Sequence, residues 1–327
     1  MAIDATAVCF TEPDTARLLD VTWADPGSED VVVRMNLSGI SAGTEGSIFR
    51  GSRTHNGTFP LITGYQGAGV IEWAGAQAPG LSEGQRVAVT SVAGGLIEQD
   101  LEIVWGTHCS RVVAPAASVH PIPDGVADEE ASLCTLWGTG RHGVNVAGVT
   151  GDDAVLVIGL GLVGLAHAQC AMADGAAVVG LDLAEERAEV LRGLGADAFT
   201  AQDDVRAWLD EREMAGFDVA AQATQSGDVT DVALQFAAQG GRVVWQGWYP
   251  GRVAFDFNTA HGKQVIMHFP CSTGGTQPQT LQMITDGAFD AGSLITHRFP
   301  AEQCQDAYDL AVFRPMECLG VVLEWSQ

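Results

Sequence analysis

Gly159-Leu160-Gly161-Leu162-Val163-Gly164 has the spacing GxGxxG and directly follows the apolar run Ala154-Val155-Leu156-Val157-Ile158. Each glycine of such a loop has its own task. The first permits a tight turn, the second lets the backbone approach a pyrophosphate, and the third lets helix and strand pack closely. Leu162 and Val163 complete the loop at the mouth of an apolar helix whose N-terminus faces the phosphates, so no cationic side chain is required. Asp182 closes the next apolar run, Ala177-Val178-Val179-Gly180-Leu181, 18 residues after Gly164. A carboxylate there accepts hydrogen bonds from both hydroxyls of an adenosine ribose. The set reads as a site for NAD. NADP fits it less well, because a 2′-phosphate would meet the charge of Asp182; Arg187, five residues on, is the nearest group to neutralise it. A glycine turn that binds nothing, with Asp182 as a turn residue, is the bland alternative, and the conjunction of strand, loop, helix and acid weighs against it.

The elements that carry these residues alternate in type. From Asp128 a helix-like stretch runs to Val146, then come the strand 154–158, a helix from Gly161 to about Asp174 and the strand 177–181, which is a βαβ unit. Further strands at Phe217-Asp218-Val219-Ala220, Arg242-Val243-Val244-Trp245 and Gln264-Val265-Ile266-Met267 continue it, as a parallel sheet covered by helices requires. The chain before about residue 125 has a different character. Val31-Val32-Val33-Arg34-Met35, Gly69-Val70-Ile71-Glu72-Trp73, Arg86-Val87-Ala88-Val89 and Arg111-Val112-Val113 are β-rich runs separated by breakers such as Ala78-Pro79-Gly80. The last strand, Leu319 to Trp325, is a plausible partner for that first domain.

With 327 residues the chain is long enough for two domains, and at 46% hydrophobic and 17% charged it is well outside the composition of disorder. Forty-one acidic residues against 16 basic ones give a formal charge of −25, and Lys263 is the sole lysine. That balance excludes a nucleic-acid partner and docking on an anionic membrane, both of which need a basic face. No apolar run reaches a membrane span and the start lacks a signal-peptide layout, so the expected location is the cytoplasm. The seven cysteines are widely spread with no CxxC pair, and are expected to be reduced thiols, most of them in the core.

Three segments, Gly64-Tyr65-Gln66-Gly67-Ala68-Gly69-Val70, Gly84-Gln85-Arg86-Val87-Ala88-Val89 and Leu191-Arg192-Gly193-Leu194-Gly195-Ala196-Asp197, together with the domain order, resemble the medium-chain dehydrogenase/reductase superfamily, which is alcohol dehydrogenase-like. Within it, the stretch from Ser38 to Glu45, Thr139-Gly140-Arg141-His142-Gly143, Gly247-Trp248-Tyr249, Leu294-Ile295-Thr296-His297 and the closing Cys318 to Trp325 are similar to the bacteriochlorophyllide dehydrogenase branch, which oxidises a hydroxyethyl side chain on a tetrapyrrole. The resemblance implies an α/β protein: a GroES-like β-rich catalytic domain, residues 1–125 completed by 273–327, plus a Rossmann domain with a doubly wound parallel sheet, residues 126–272. It also implies an active cleft between the domains, a homodimer or homotetramer formed through an edge strand at Gln264 to Phe269, and Gly247 beside the cofactor.

The departures from the family pattern concern metal. Where the zinc alcohol dehydrogenases carry a cysteine and a histidine-glutamate pair, this chain has Ser41 and Tyr65-Gln66. A hydroxyl, a phenol and an amide do not replace thiolate and imidazole as zinc ligands. Cys134 stands near the third ligand's place, and only Cys109 falls where a four-cysteine structural zinc lobe would be, so both zinc sites are expected to be absent.

Alcohol oxidation without a metal still needs a protein group to take the hydroxyl proton. By resemblance Thr44 matches the hydroxyl that relays it, Glu45 the acid beside that hydroxyl, and Tyr65 replaces the zinc histidine. Packing alone for Tyr65, and a helix beginning at Gly46 capped by Glu45, are the structural alternatives. Histidine is the natural proton carrier near neutral pH. His142 leads the helix before the phosphate loop and faces the cleft in related proteins. His55 and His108 lie in loop-like segments, where a histidine is solvated unless it lines a pocket. Arg141 meets cofactor or substrate, or is an exposed helix charge, and His297 is expected to make a structural hydrogen bond. Ser41, His55, Trp105, His108, Trp137 and Trp248 are the candidate pocket residues. The expected function is interconversion of a secondary alcohol and a ketone, in a tetrapyrrole, sugar, cyclitol or other biosynthetic pathway. Its rivals are an NADPH-type quinone or enoyl reductase of the same fold, and a nucleotide-binding protein without catalysis.

Overall fold

A computed structural model describes residues 2–52, 58–97, 99–249 and 252–325. The chain divides into two compact units, Met1–Thr135 with Ala291–Gln327, and Leu136–Asp290. Both seams fall later in the chain than the boundaries 125/126 and 272/273 read from the sequence.

The first unit begins with β1 (Ile3–Glu12), β2 (Thr15–Trp23), β3 (Asp30–Gly39), α1 (Thr44–Phe49), β4 (Leu61–Ile62), β5 (Gly67–Ala74), β6 (Arg86–Val89), β7 (Glu102–Ile103), β8 (Arg111–Pro115), β9 (Val119–Pro121) and α2 (Asp128–Ala131). The second holds most of α3 (Cys134–Ala147), then β10 (Ala154–Ile158), α4 (Leu162–Ala173), β11 (Ala177–Leu181), α5 (Glu185–Gly193), β12 (Asp197–Phe199), α6 (Gln202–Asp210), β13 (Phe217–Gln222), α7 (Val229–Phe236), β14 (Ala237–Trp245), α8 (Phe257–Lys263), β15 (Ile266–His268) and α9 (Gln277–Thr285). The tail returns to the first unit with β16 (Ile295–Pro300), α10 (Cys304–Phe313) and β17 (Gly320–Glu324). The single helix expected over 128–146 is therefore two, broken where Ser132 caps α2.

In the first unit one sheet has the order β2-β1-β4-β7 and a larger one β16-β17-β3-β5-β6-β9, with β8 also paired to β3. The closing strand β17 lies antiparallel on β3, pairing Val322 with Gly39 and Leu323 with Ser38, which ties the tail to the first domain. Phe10, Phe49 and Tyr308 meet in the core with ring centroids 4.8–5.2 Å apart, so α1, α10 and β1 share one apolar centre.

The second unit is a six-stranded sheet of order β12-β11-β10-β13-β14-β15 in which every pair is parallel. All five residues of β10 are buried, as a central strand covered on both faces must be, and this is why its sequence reads as a continuous apolar run. β15 is one of the two edge strands, β12 being the other; Ile266 on it and Phe269 just beyond are 55% and 64% exposed. Among the described residues no helix is long and apolar enough to cross a membrane.

Candidate functional site

In the second unit the glycine loop joins the end of β10 to the start of α4. Gly159 sits at φ +91°, and a Cβ on it would meet the Thr224 side chain at 2.6 Å. A Cβ on Gly164 would fall 1.9 Å from the Gly159 carbonyl oxygen, so the third glycine is what lets α4 start against the strand end. Gly161 is different: it has φ −76° as the residue capping α4, and the nearest atom to a Cβ there is the Arg187 guanidinium at 3.9 Å. The space over Gly161 and the start of α4 is thus left open, which is the cradle a pyrophosphate needs.

The Asp182 carboxylate leans into this loop. Its Oδ2 accepts the Leu160 N–H at 2.6 Å and its Oδ1 accepts the Ala184 N–H at 3.0 Å. Two of about four lone-pair positions are thereby used, leaving acceptor capacity for a ribose diol. Arg187 stands with Nη1 4.0 Å from Asp182 Oδ2. Leu183, which no sequence signal singled out, is next to the acid in the chain and 94% exposed. Gly247 follows β14; a Cβ there would lie 2.1 Å from the Thr224 carbonyl oxygen and 3.0 Å from the Tyr249 phenol. Burial pushes that phenol up to about 12.

His142 is half-buried on α3, where a Cβ on Gly274 would lie 2.3 Å from its Nδ1; Gly274, at φ +57°, makes room for the imidazole. Trp248 is half-buried. Trp137 is fully buried with its ring 5.4 Å from that of Phe289, and packs the core of this unit instead of forming a pocket wall. Arg141 is neither a free helix charge nor open to a ligand: it is 5% exposed and forks onto Asp174, with Nη1 2.9 Å from Oδ1.

In the first unit α1 begins at Thr44 and not at Gly46, so Glu45 lies within the helix and does not cap it. Its side chain is fully buried. Glu45 Oε2 lies 2.9 Å from His108 Nε2 and accepts the Tyr308 O–H at 2.8 Å, while Oε1 is buried with no partner. His108, expected to be solvated or in a pocket, has no exposure at all; its Nδ1 is 2.8 Å from Ser38 Oγ, and Ser38 in turn accepts the Trp325 indole N–H at 3.0 Å. Gly64, at φ +104°, permits this, since a Cβ there would fall 2.6–2.7 Å from His108. Burial, then the Glu45 charge, holds the Tyr308 phenol well above its usual range. Ser38, Tyr308 and Trp325 were not among the sequence candidates.

Tyr65 and Trp105 are brought together edge to face, with ring centroids 5.4 Å apart and both half-buried. Trp105 takes the left-handed backbone at φ +67°, unusual for so large a residue. Thr44 is half-buried and Ser41 is 4% exposed. Gln66 is fully buried and its amide nitrogen donates to the Gly39 carbonyl at 3.3 Å. The donors Ser41, Tyr65 and Gln66 do not suit zinc, and burial pushes the nearby Cys134 thiol up to about 12, away from the thiolate that zinc binds. Among the described residues no group of three His, Cys, Asp or Glu side chains is placed to hold a metal ion. Six of the seven cysteines are buried free thiols and Cys271 is exposed. His297 Nδ1 meets Thr296 Oγ1 at 2.9 Å, as expected of a structural histidine. His55 lies outside the described residues.

Comparison with known proteins places this geometry. Residues 27–124 match the alcohol dehydrogenase GroES-like domain and residues 163–286 the zinc-binding dehydrogenase family. The chain is 30% identical over 332 residues to 2-desacetyl-2-hydroxyethyl bacteriochlorophyllide A dehydrogenase of Cereibacter sphaeroides, covering 98% of each chain. It is 29% identical to L-threonine 3-dehydrogenase of Anaeromyxobacter dehalogenans, covering 94% of each. Among solved structures, an Escherichia coli oxidoreductase/dehydrogenase of unknown specificity superposes with a TM-score of 0.90 at 19% identity, covering 99% of this chain and all of that one, a likeness of fold. With both domain matches in family order and a 30% identical relative spanning nearly the whole chain, this protein belongs to the medium-chain dehydrogenase/reductase superfamily, and within it resembles the bacteriochlorophyllide dehydrogenase branch.

Proposed function

We propose that this dehydrogenase interconverts a secondary alcohol and a ketone with NAD and without a catalytic zinc ion. The observation that carries the reading is the open cradle over Gly161, hydrogen-bonded through Leu160 to the Asp182 carboxylate. The loop amides and the N-terminus of α4 would hold the pyrophosphate, Asp182 the adenosine ribose, Leu183 the adenine face, and Gly247 the backbone approach beyond β14. NAD, when bound, supplies the hydride acceptor. On the first unit, Tyr65 holds the substrate oxygen through its phenol, Thr44 passes the hydroxyl proton and Glu45 accepts it; Trp105 lies against Tyr65 and gives the substrate an apolar wall. His142 is the candidate proton carrier of the second unit. The acceptor role of Glu45 is supported by its buried, unpartnered Oε1.

The substrate class is a small alcohol or the hydroxyalkyl group of a larger metabolite, as the bacteriochlorophyllide relative's name suggests. The edge strand β15, with Ile266 and Phe269 exposed, supports pairing with a second copy. Arg187 beside Asp182 favours one rival, an NADPH-linked reductase, because it is the group a 2′-phosphate would need. The experiment is a panel of secondary alcohols and ketones run with NAD(H) and NADP(H) on EDTA-dialysed protein, with bound metal counted. Turnover with NAD(H) at under 0.1 zinc per chain is expected, on the order of magnitude that separates a bound from a contaminating metal; activity restored only by added zinc would contradict the proposal.

A further inference from the structure

The cradle over Gly161 offers phosphate its backbone amides, and the cations around it are already engaged elsewhere. The unit that holds it, Leu136–Asp290, carries 19 acidic side chains against eight basic ones, within a chain whose formal charge is −25. Arg141, Arg192, Arg206, Arg212 and Arg242 are each paired with a carboxylate. Lys263 donates to the carbonyls of Leu234, Gln235 and Ala237 at 2.6–2.9 Å and so closes the end of α7. Arg252 is exposed between β14 and α8. That leaves Arg187, 4.0 Å from Asp182 Oδ2, where the charge of the acid offsets it. Glu185 and Glu186 stand in the first turn of α5, directly after the ribose acid.

Two electrostatic effects of different range therefore act on a dinucleotide in this cradle. Amide hydrogen bonds and the partial positive charge at the N-terminus of α4 attract the pyrophosphate, and they fall off within the first turn. The uncompensated charge of the surrounding chain repels it. That repulsion reaches about as far as the Debye length, roughly 30 Å at 0.01 M salt, 10 Å at 0.1 M and 3 Å at 1 M. Added salt thus removes the long-range repulsion and leaves the close contacts largely in place. A site built on lysine and arginine contacts has the opposite sign, weakening as salt rises.

We propose that ionic strength is an effector of this nucleotide site: simple salt tightens cofactor binding, and tightens NADPH more than NADH, so that the preference for NADH narrows as salt rises. The inference rests on the reading of the glycine loop and Asp182 as a dinucleotide site given above. NADH brings the charge of its pyrophosphate alone, whereas the 2′-phosphate of NADPH adds about 1.5 to 2 further negative charges. A repulsive potential that weakens one anion by a given factor weakens an anion of twice the charge by about the square of that factor.

The test is calorimetric titration of the full chain with NADH and with NADPH at constant pH, in KCl from about 0.05 to 1 M, with circular dichroism confirming one fold throughout. NADH affinity is expected to rise about threefold or more across that range, and NADPH affinity about tenfold. The ratio of the two is the sharper readout. The cofactors differ only by the 2′-phosphate, so any effect of salt on folding or on apolar contacts cancels in it. Asp182→Asn removes a single charge of the chain's excess, and the ratio should keep most of its salt dependence in that variant. Affinities that fall with salt, or a ratio that stays constant, would overturn the proposal. Loss of the dependence in Asp182→Asn would overturn it as well, since one carboxylate and not the field of the chain would then be the cause. No binding of either cofactor at any salt would remove the site reading itself, and the proposal with it.

Discussion

The Asp182 carboxylate accepts the Leu160 backbone N–H at 2.6 Å, so the acid that follows β11 and the glycine loop that follows β10 form one hydrogen-bonded unit. If they hold the ribose and the phosphates as proposed, the two should fail together. Asp182→Ala is expected to weaken NADH binding at least about tenfold, near 1.4 kcal/mol, and to narrow the preference over NADPH. Paired titrations with the two reduced cofactors measure both effects, and an unchanged NADH affinity would count against the assignment.

The glycines of the loop separate binding from folding. A methyl group at Gly161 meets nothing closer than 3.9 Å, whereas one at Gly164 meets a carbonyl oxygen at 1.9 Å. Gly161→Ala should therefore cost at most about 1 kcal/mol of stability while strongly weakening NADH binding. Gly164→Ala should lose about 2 kcal/mol or more, because helix and strand must move apart. Thermal melts beside cofactor titrations of both variants distinguish the two roles.

Tyr65→Phe keeps the ring that packs edge to face on Trp105 and deletes only the phenol oxygen. Turnover should fall about 100-fold or more, the scale of a lost acid–base contact, with NADH affinity nearly unchanged. Normal turnover would mean that the tyrosine is only packed.

His167 on α4 is completely buried, with Nδ1 3.1 Å from Gln246 Oε1 and Nε2 unpartnered. Burial lowers its pKa from 6.5 to about 4. The folded state thus resists a proton that the unfolded state accepts: the stability it contributes is complete above pH 6.5 and is lost as the pH falls toward 4, by about 3 kcal/mol in all. Urea midpoints of wild type and His167→Gln at pH 7.5 and 4.5 measure the difference, and the variant should lose less stability on acidification.

Much of the second unit was legible because its signals are local. β10 and β11 have the boundaries their apolar runs suggest, and the loop lies between a strand and a helix that sequence neighbours define. The first unit hides more. β1 and β2 carry no clean alternation of burial and so give no strand signal in the sequence. Glu45 was legible as a residue, but its partners His108 and Tyr308 are 63 and 263 positions away, and Ser38 and Trp325 meet across 287. Nothing adjacent to His108 announces that the closing of β17 on β3 buries it, so a loop-like histidine turned out to be the centre of a dry network.

The edge strand β15 and the residue just beyond it present exposed apolar side chains. If Ile266 and Phe269 are covered by a second copy, Ile266→Lys with Phe269→Asp should convert the assembly to monomers without lowering the melting temperature of the fold by more than a few degrees. Light scattering after size exclusion reads the mass directly, and an unchanged mass would move the interface elsewhere.

The central claim is a zinc-free nucleotide site tuned to NAD, and its most direct measurement is a fluorescence titration of EDTA-dialysed protein with NADH and, separately, NADPH, following energy transfer from tryptophan to the nicotinamide. Tight NADH binding with NADPH weaker by about tenfold or more is the predicted result. Binding of neither cofactor, or an NADPH preference, would contradict the account.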